Sequence, residues 1–130
     1  MKKLTFKESI PVSPHEKLDH IRYLLYQQDH CELPVVDQGK VIGVINKSEL
    51  SSRFLKWIEK DSFSMVDFSN VEVSQIMRTD PIKVLDTDDI DQIIHKFLHN
   101  DVQSLIVVDE NDGLKGQISS FEIMESLLAA

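Results

Sequence analysis

The chain has 130 residues and a formal net charge of −8, enough for one compact domain or two half-domains sharing a core. That acidity repels phosphate backbones and anionic membrane surfaces, so neither nucleic acid nor membrane is expected as a partner. Its single cysteine, Cys31, can form no internal disulfide and completes no thiol-pair motif, which suits a reducing compartment.

Met1-Lys2-Lys3 looks like the start of a signal peptide, but Lys7 and Glu8 interrupt the apolar run that one needs. No stretch approaches the length of a membrane span, so a cytoplasmic protein is expected. Ile10 to Val12 is a short extended piece, and Ser13-Pro14 suits the start of a helix. Leu18, Ile21, Leu24 and Leu25 then fall three and four apart, which predicts a helix with Glu16, Lys17, Asp19, His20 and Arg22 on its other faces. Leu33 to Val36 is apolar without alternation, the mark of a strand buried on both faces. Asp37-Gln38-Gly39-Lys40 turns the chain back into a second strand, Val41 to Ile45. A helix to about Lys60 follows, with Leu50, Phe54, Trp57 and Ile58 as its apolar stripe.

From Asp61 to Val73 the periodicity fails, while Phe63, Met65, Val66 and Phe68 point to a linker packed on the body rather than a loose tether. Val73 to Met77 leads to Asp80-Pro81 and an extended Ile82 to Val84. Asp86-Thr87-Asp88-Asp89 can cap the next helix, whose predicted buried stripe is Ile90, Ile93, Ile94, Phe97 and Leu98. Strands at Leu105 to Val108 and Leu114 to Ile118, joined by a turn holding Asp112-Gly113, precede a last helix from Ser120 to the end.

The second half repeats the first. At an offset of 72, Ile10 meets Ile82, Val12 meets Val84, Ile21 meets Ile93 and Val35-Val36-Asp37 meets Val107-Val108-Asp109. One extra residue in the second turn makes the offset 73, and Gly43 then meets Gly116, Ile45 meets Ile118 and Glu49 meets Glu122. A register kept through strand, helix, hairpin and helix is duplication. The expected fold is therefore α+β: two pseudo-symmetric β-α-β-β-α repeats, residues 1–60 and 73–130, with a packed linker at 61–72 and their sheets packed against each other.

In its order and duplication the chain resembles a tandem pair of CBS domains, the module named after cystathionine β-synthase. In repeat two the likeness rests on Ile76-Met77, Pro81-Ile82-Lys83-Val84, Leu105-Ile106-Val107-Val108-Asp109 and Gly116-Gln117-Ile118-Ser119-Ser120-Phe121-Glu122-Ile123. In repeat one it rests on Ile10 to Val12, Leu33-Pro34-Val35-Val36-Asp37 and Gly43 to Leu50, while Leu4-Thr5-Phe6 stands where Ile-Met would. The resemblance implies a regulatory sensor and no enzyme. Two clefts between the repeats would hold an adenosine-containing ligand such as AMP, ADP, ATP or S-adenosylmethionine, with no required cofactor, and occupancy would modulate a partner protein.

The family's ligand signature is glycine, two apolar residues, Thr or Ser, two variable residues, then Asp. The matching pairs here are Asn46 with Glu49 and Ser119 with Glu122. The same Ser-x-x-Glu spacing is also a capping box, which satisfies a helix's own amides without any ligand. Glu32 in the first cleft would repel a phosphate, with Lys47 as the neighbouring feature that could offset it. The second cleft, with Ser104, Ser119, Glu122 and nearby Arg78 and Thr79, is the better candidate. The ligand set implied by the resemblance is completed by the apolar positions Ile10, Val12, Leu33, Ile82, Val84 and Ile106.

Other residues read more plainly. His95 and His99 have the i, i+4 spacing of a metal pair but lack a third ligand, so they are expected on a solvated face. Asp86, Asp88, Asp89 and Asp91 fail the EF-hand pattern and suit capping. Cys31 and His30 are adjacent on a strand and would point to opposite faces. No glycine-rich phosphate loop, nucleophile elbow or zinc spacing occurs, so no catalysis is expected. Phe54, Trp57, Ile58, Phe121, Ile123, Met124, Leu127 and Leu128 exceed what each repeat can cover, which points to a homodimer. The rival reading is a ligand-free dimeric interaction module whose clefts are vestigial.

Overall fold

The structure, a computed structural model, describes residues 6–27, 32–59, 70–102 and 104–128. The linker side chains Phe63, Met65, Val66 and Phe68, together with His30 and Cys31, lie outside the described residues, as does the side chain of Trp57.

Repeat one contains α1 (Leu18–Gln27), β1 (Glu32–Asp37), β2 (Lys40–Asn46) and α2 (Lys47–Glu59). Repeat two contains the short α3 (Val73–Ile76), then β3 (Lys83–Leu85), α4 (Ile90–Asn100), β4 (Ser104–Val108), β5 (Leu114–Ser119) and α5 (Ser120–Leu128). In repeat two β3 runs parallel to β4 and β4 antiparallel to β5. Repeat one has the same arrangement in reduced form. Its first strand contributes a single parallel bridge, Val12 to Val35, with amide bonds of 2.9 Å from Val12 to the Pro34 carbonyl and from Val36 to the Val12 carbonyl. The β1–β2 turn takes positive φ at Gln38 and Gly39, 51° and 79°, which matches the twist of a tight hairpin. Both hairpins shift register at the same place, between Val35 and Val36 and between Val107 and Val108. A shared irregularity of this kind is the duplication seen in backbone geometry.

Each repeat lends its leading segment to the other's core. Val71, Val73 and Ile76 pack with Leu18, Ile21, Leu33, Val35 and Ile45 of repeat one. Phe6 packs with Val84, Ile93, Leu105, Val107 and Ile118 of repeat two. A third cluster joins the sheets directly: Val41 and Val44 against Ile106 and Val108. Residues 71–74 also hydrogen-bond to the stretch before α1, with the Leu18 amide donating to Val71, Val73 to Glu16 and Ser74 to Pro14. That pairing explains why α1 begins at Leu18 rather than at Pro14, because the carbonyls of Pro14 and Glu16 are taken by another segment instead of opening a helical turn.

The stripe predicted for α4 needs one correction. Ile93 and Phe97 are buried and Ile90 and Ile94 half-buried, but Leu98 is 75% exposed. Phe97 fills the line toward the sheet, and Leu98, one step of about 100° further around, falls beyond the stripe's edge. Asp89 caps this helix as expected, accepting the Gln92 amide at 2.9 Å while the Gln92 side chain accepts the Asp89 amide. Asp88 accepts the Leu85 amide.

Candidate functional site

The two glycines of the repeated motif decide where the repeats meet. A Cβ on Gly43 would lie 2.8 Å from the Arg78 carbonyl and 2.7 Å from the Met77 sulfur, and one on Gly116 would strike the Lys7 carbonyl and stand 2.8 Å from the Phe6 ring. At both positions only glycine leaves room for the other repeat's leading segment. That approach is held by paired amide bonds, Val44 with Arg78 and Lys7 with Gln117. Phe6 in repeat one thus stands where Met77 stands in repeat two, and Lys7 where Arg78 stands. Each motif lies beneath a segment of the opposite repeat, so residues of both halves meet at each candidate cleft.

In the first cleft Asn46 precedes α2. Its Oδ1 accepts the Glu49 amide at 2.7 Å and its Nδ2 donates to Glu49 Oε1 at 2.9 Å. Arg78 reaches in from repeat two, with guanidinium nitrogens 3.6 Å from Glu32 Oε1 and 3.5 Å from Glu49 Oε1. The sequence placed Arg78 near Ser104 and Ser119, and the structure corrects this by setting it against the first motif. Burial pushes the Glu32 carboxyl above its ordinary range; Arg78 opposes that rise, Glu49 adds to it, and a hydrogen bond with Asn46 opposes it. Among the described residues Arg78 Nε, shielded from solvent, finds no acceptor. Lys47 is exposed at the first turn of α2 and Thr79 is exposed beyond Arg78.

In the second cleft the Ser119 hydroxyl accepts the Glu122 amide at 3.1 Å and Glu122 Oε1 accepts the Ser119 amide at 2.9 Å. This reciprocal cap opens α5. Ser104 lies directly across the β4–β5 pair from Ser119. It is buried, and its hydroxyl has no hydrogen-bond partner among the described residues. Gln117, which the motif alone does not single out, spans the repeats: its side-chain Nε2 donates to the Glu32 carbonyl at 2.7 Å and to the Ser9 hydroxyl. Its position one residue after the motif glycine was the available signal.

The apolar positions separate. Val12 and Leu33 belong to the core of repeat one, Val84 to that of repeat two, and Ile106 to the cluster between the sheets. Ile82 is half-buried and Ile10 exposed. His95 and His99 stack with ring centroids 3.7 Å apart on the exposed face of α4. Among the described residues no three His, Cys, Asp or Glu side chains gather as a metal cluster, and no helix is long and apolar enough to cross a membrane.

The CBS domain family model matches residues 2–56 and 73–129. The uncharacterized protein MJ1225 of Methanocaldococcus jannaschii is 26% identical over 126 residues, which cover 92% of this chain and 44% of that protein. Its crystal structure overlays at a TM-score of 0.79 with 25% identity, over 97% of this chain and 48% of the other, so the chain spans about half the length of that relative or less. The crystal structure of CBSX2 in complex with AMP overlays at 0.75 with 20% identity, over 98% of this chain and 93% of that one. The CBS domain pair of protein MJ0100, in complex with 5′-methylthioadenosine and S-adenosyl-L-methionine, overlays at 0.75 with 18% identity and the same coverage, 98% and 93%. With a family model matched by both halves, and two like repeats that exchange their leading segments around a common interface, this chain belongs to the CBS domain family as a tandem pair.

Proposed function

We propose that this CBS pair is a regulatory sensor, not an enzyme. It takes an adenosine-containing ligand, AMP, ADP, ATP or S-adenosylmethionine, in the second cleft, and modulates a partner protein in the cytoplasm. The observation that carries the reading is the buried Ser104 hydroxyl, without a partner among the described residues, set opposite Ser119 at the start of α5. An unsatisfied buried hydroxyl costs about 1–3 kcal/mol, and a polar ligand atom would remove that cost. The amides of a helix N-terminus favour a phosphate or carboxylate, and Glu122 stands one turn away, where it could accept from a ribose diol. Two structures of this fold hold adenosine-type molecules in their own right, which supports the ligand class. Mechanistically, a ligand bridging Ser104 and Ser119 in repeat two to the repeat-one segment at Lys7 would favour one relative arrangement of the halves, and a partner would read that arrangement. Calorimetry with AMP, ADP, ATP and S-adenosylmethionine tests it; no binding of any of them below millimolar concentration refutes it.

A second reading draws on the exposed apolar faces of α2 and α5, where Leu55, Ile58, Phe121, Met124, Leu127 and Leu128 are open to solvent. We infer from these faces a homodimer, which would bury them about a two-fold axis. On this reading the dimer surface is the working part and the clefts are vestigial. Sedimentation of wild type and Met124→Glu/Leu127→Glu decides the dimer: the wild type should run as a dimer and the variant as a monomer, and a wild-type monomer at micromolar concentration refutes it.

A further inference from the structure

The pseudo-symmetry of the two clefts exposes a difference between them. Glu32 pairs across its hairpin with Asn46 as Ser104 does with Ser119, so the offset of 72 before the turn brings Glu32 onto Ser104 and the offset of 73 after it brings Asn46 onto Ser119 and Glu49 onto Glu122, while the exchanged segments bring Arg78 onto Lys7. Where the second cleft has a buried, unpartnered hydroxyl, the first has a buried carboxylate. Where the second has an exposed Lys7, the first has Arg78 engaged by two carboxylates, at 3.6 Å from Glu32 and 3.5 Å from Glu49. Arg78 belongs to repeat two while both glutamates belong to repeat one, so this ion triad fills the cleft across the boundary between halves.

We propose that the first cleft is a latent anion site held shut from within: Glu32 and Glu49 occupy the Arg78 guanidinium that would otherwise receive a phosphate, and Glu32 is the residue that makes the two clefts unequal. The triad carries two negative charges against one positive, so an incoming phosphate meets net repulsion from groups it must replace. Guanidinium pairs with carboxylate or phosphate by the same forked geometry, and it cannot serve both fully at once. Arg78 is ready to change partners, because its Nε already lacks an acceptor among the described residues. Substituting serine at position 32 puts there the residue that the second cleft has at Ser104 and leaves Arg78 with Glu49 alone.

The inference deepens the sensor reading but stands on its own, because its test is the difference between two chains. The number of AMP molecules bound per chain is measured by calorimetry for the 130-residue wild type, Glu32→Ser and Glu32→Gln, with folding checked by thermal melting. The glutamine variant keeps the shape and removes only the charge, so the measurement survives a serine variant that fails to fold. The expected result is a gain of one site in the variants, from one AMP to two. Adding Arg78→Met to either variant should abolish the gain. A wild type that binds none while a variant binds one supports the latch and refutes ligand binding at the second cleft. A folded variant with no gain, a wild type that already binds two, or a gained site that survives Arg78→Met overturns the inference.

Discussion

Replacing Gly116 by alanine tests the exchange of leading segments, on which both clefts depend. Gly116 has φ of 156°, a region that residues with a Cβ seldom enter, and the added methyl would strike the Lys7 carbonyl and crowd the Phe6 ring at 2.8 Å. A backbone carbonyl cannot step aside alone, so the segment around Lys7 must move. Two backbone hydrogen bonds then go, Lys7 to Gln117 and Gln117 to Lys7, both 2.9 Å. At about 1 kcal/mol net for each, with about 1 kcal/mol for strain at the substituted residue, the loss should be about 2–4 kcal/mol. For a chain of this size that lowers the melting midpoint by about 10 °C. Urea unfolding followed by circular dichroism measures it. Gly43→Ala serves as the internal comparison, since its methyl meets the Arg78 carbonyl at 2.8 Å but otherwise the flexible Met77 thioether; it should lose less than Gly116→Ala. If Gly116→Ala costs under about 0.5 kcal/mol, the Lys7 segment contributes no appreciable stability and the reasoning fails.

Three further outcomes are expected. Asn46→Ala removes the acceptor of the Glu49 amide, a 2.7 Å bond, and should cost about 1 kcal/mol in urea unfolding, with Asn46→Ser restoring most of it. Glu122→Ala loses the back-bond from the Ser119 amide, also worth about 1 kcal/mol; in the sensor reading it weakens AMP binding as well, whereas unchanged binding leaves capping as its only role. Glu32 sets a pH dependence. Its folded carboxyl titrates above the usual 4.5, so between 4.5 and that raised value the folded chain holds a proton that the unfolded chain has released. Its contribution is fully present below pH 4.5 and lost as pH rises through the folded value. Wild type should therefore lose stability relative to Glu32→Gln as pH rises across that window, and parallel urea-midpoint curves for the two would contradict it.

How much of this was legible in the sequence follows from which interactions are local. The hairpins, the helix caps and the duplication were readable because each depends on spacing within a short stretch: Asn46 with Glu49, Ser119 with Glu122, and Val35-Val36-Asp37 with Val107-Val108-Asp109. Leu98 was misplaced because periodicity gives the direction of a helix's apolar face but not its width, which depends on how closely the sheet approaches. The exchanged segments were hidden for a different reason. Leu4-Thr5-Phe6 stands where Ile76-Met77 stands in repeat two, but no local pattern records that each segment crosses into the other repeat's core.

Arg78 shows the same limit, since closeness along the chain to the second repeat's motif does not make it close in space, and it lies against Glu32 and Glu49. Its partners, Glu32 and Glu49, lie in the other repeat and are set by a backbone crossing at Gly43 that no local pattern records. Duplication supplies two motifs of one backbone geometry, but the chemistry at each depends on which residues the opposite half delivers to it. Symmetry of backbone with asymmetry of charge is a means by which one fold can keep one cleft for structure and leave the other to bind. In this chain the equivalent positions differ most in charge at Glu32 and Ser104, with Asn46 against Ser119 and Arg78 against Lys7 beside them.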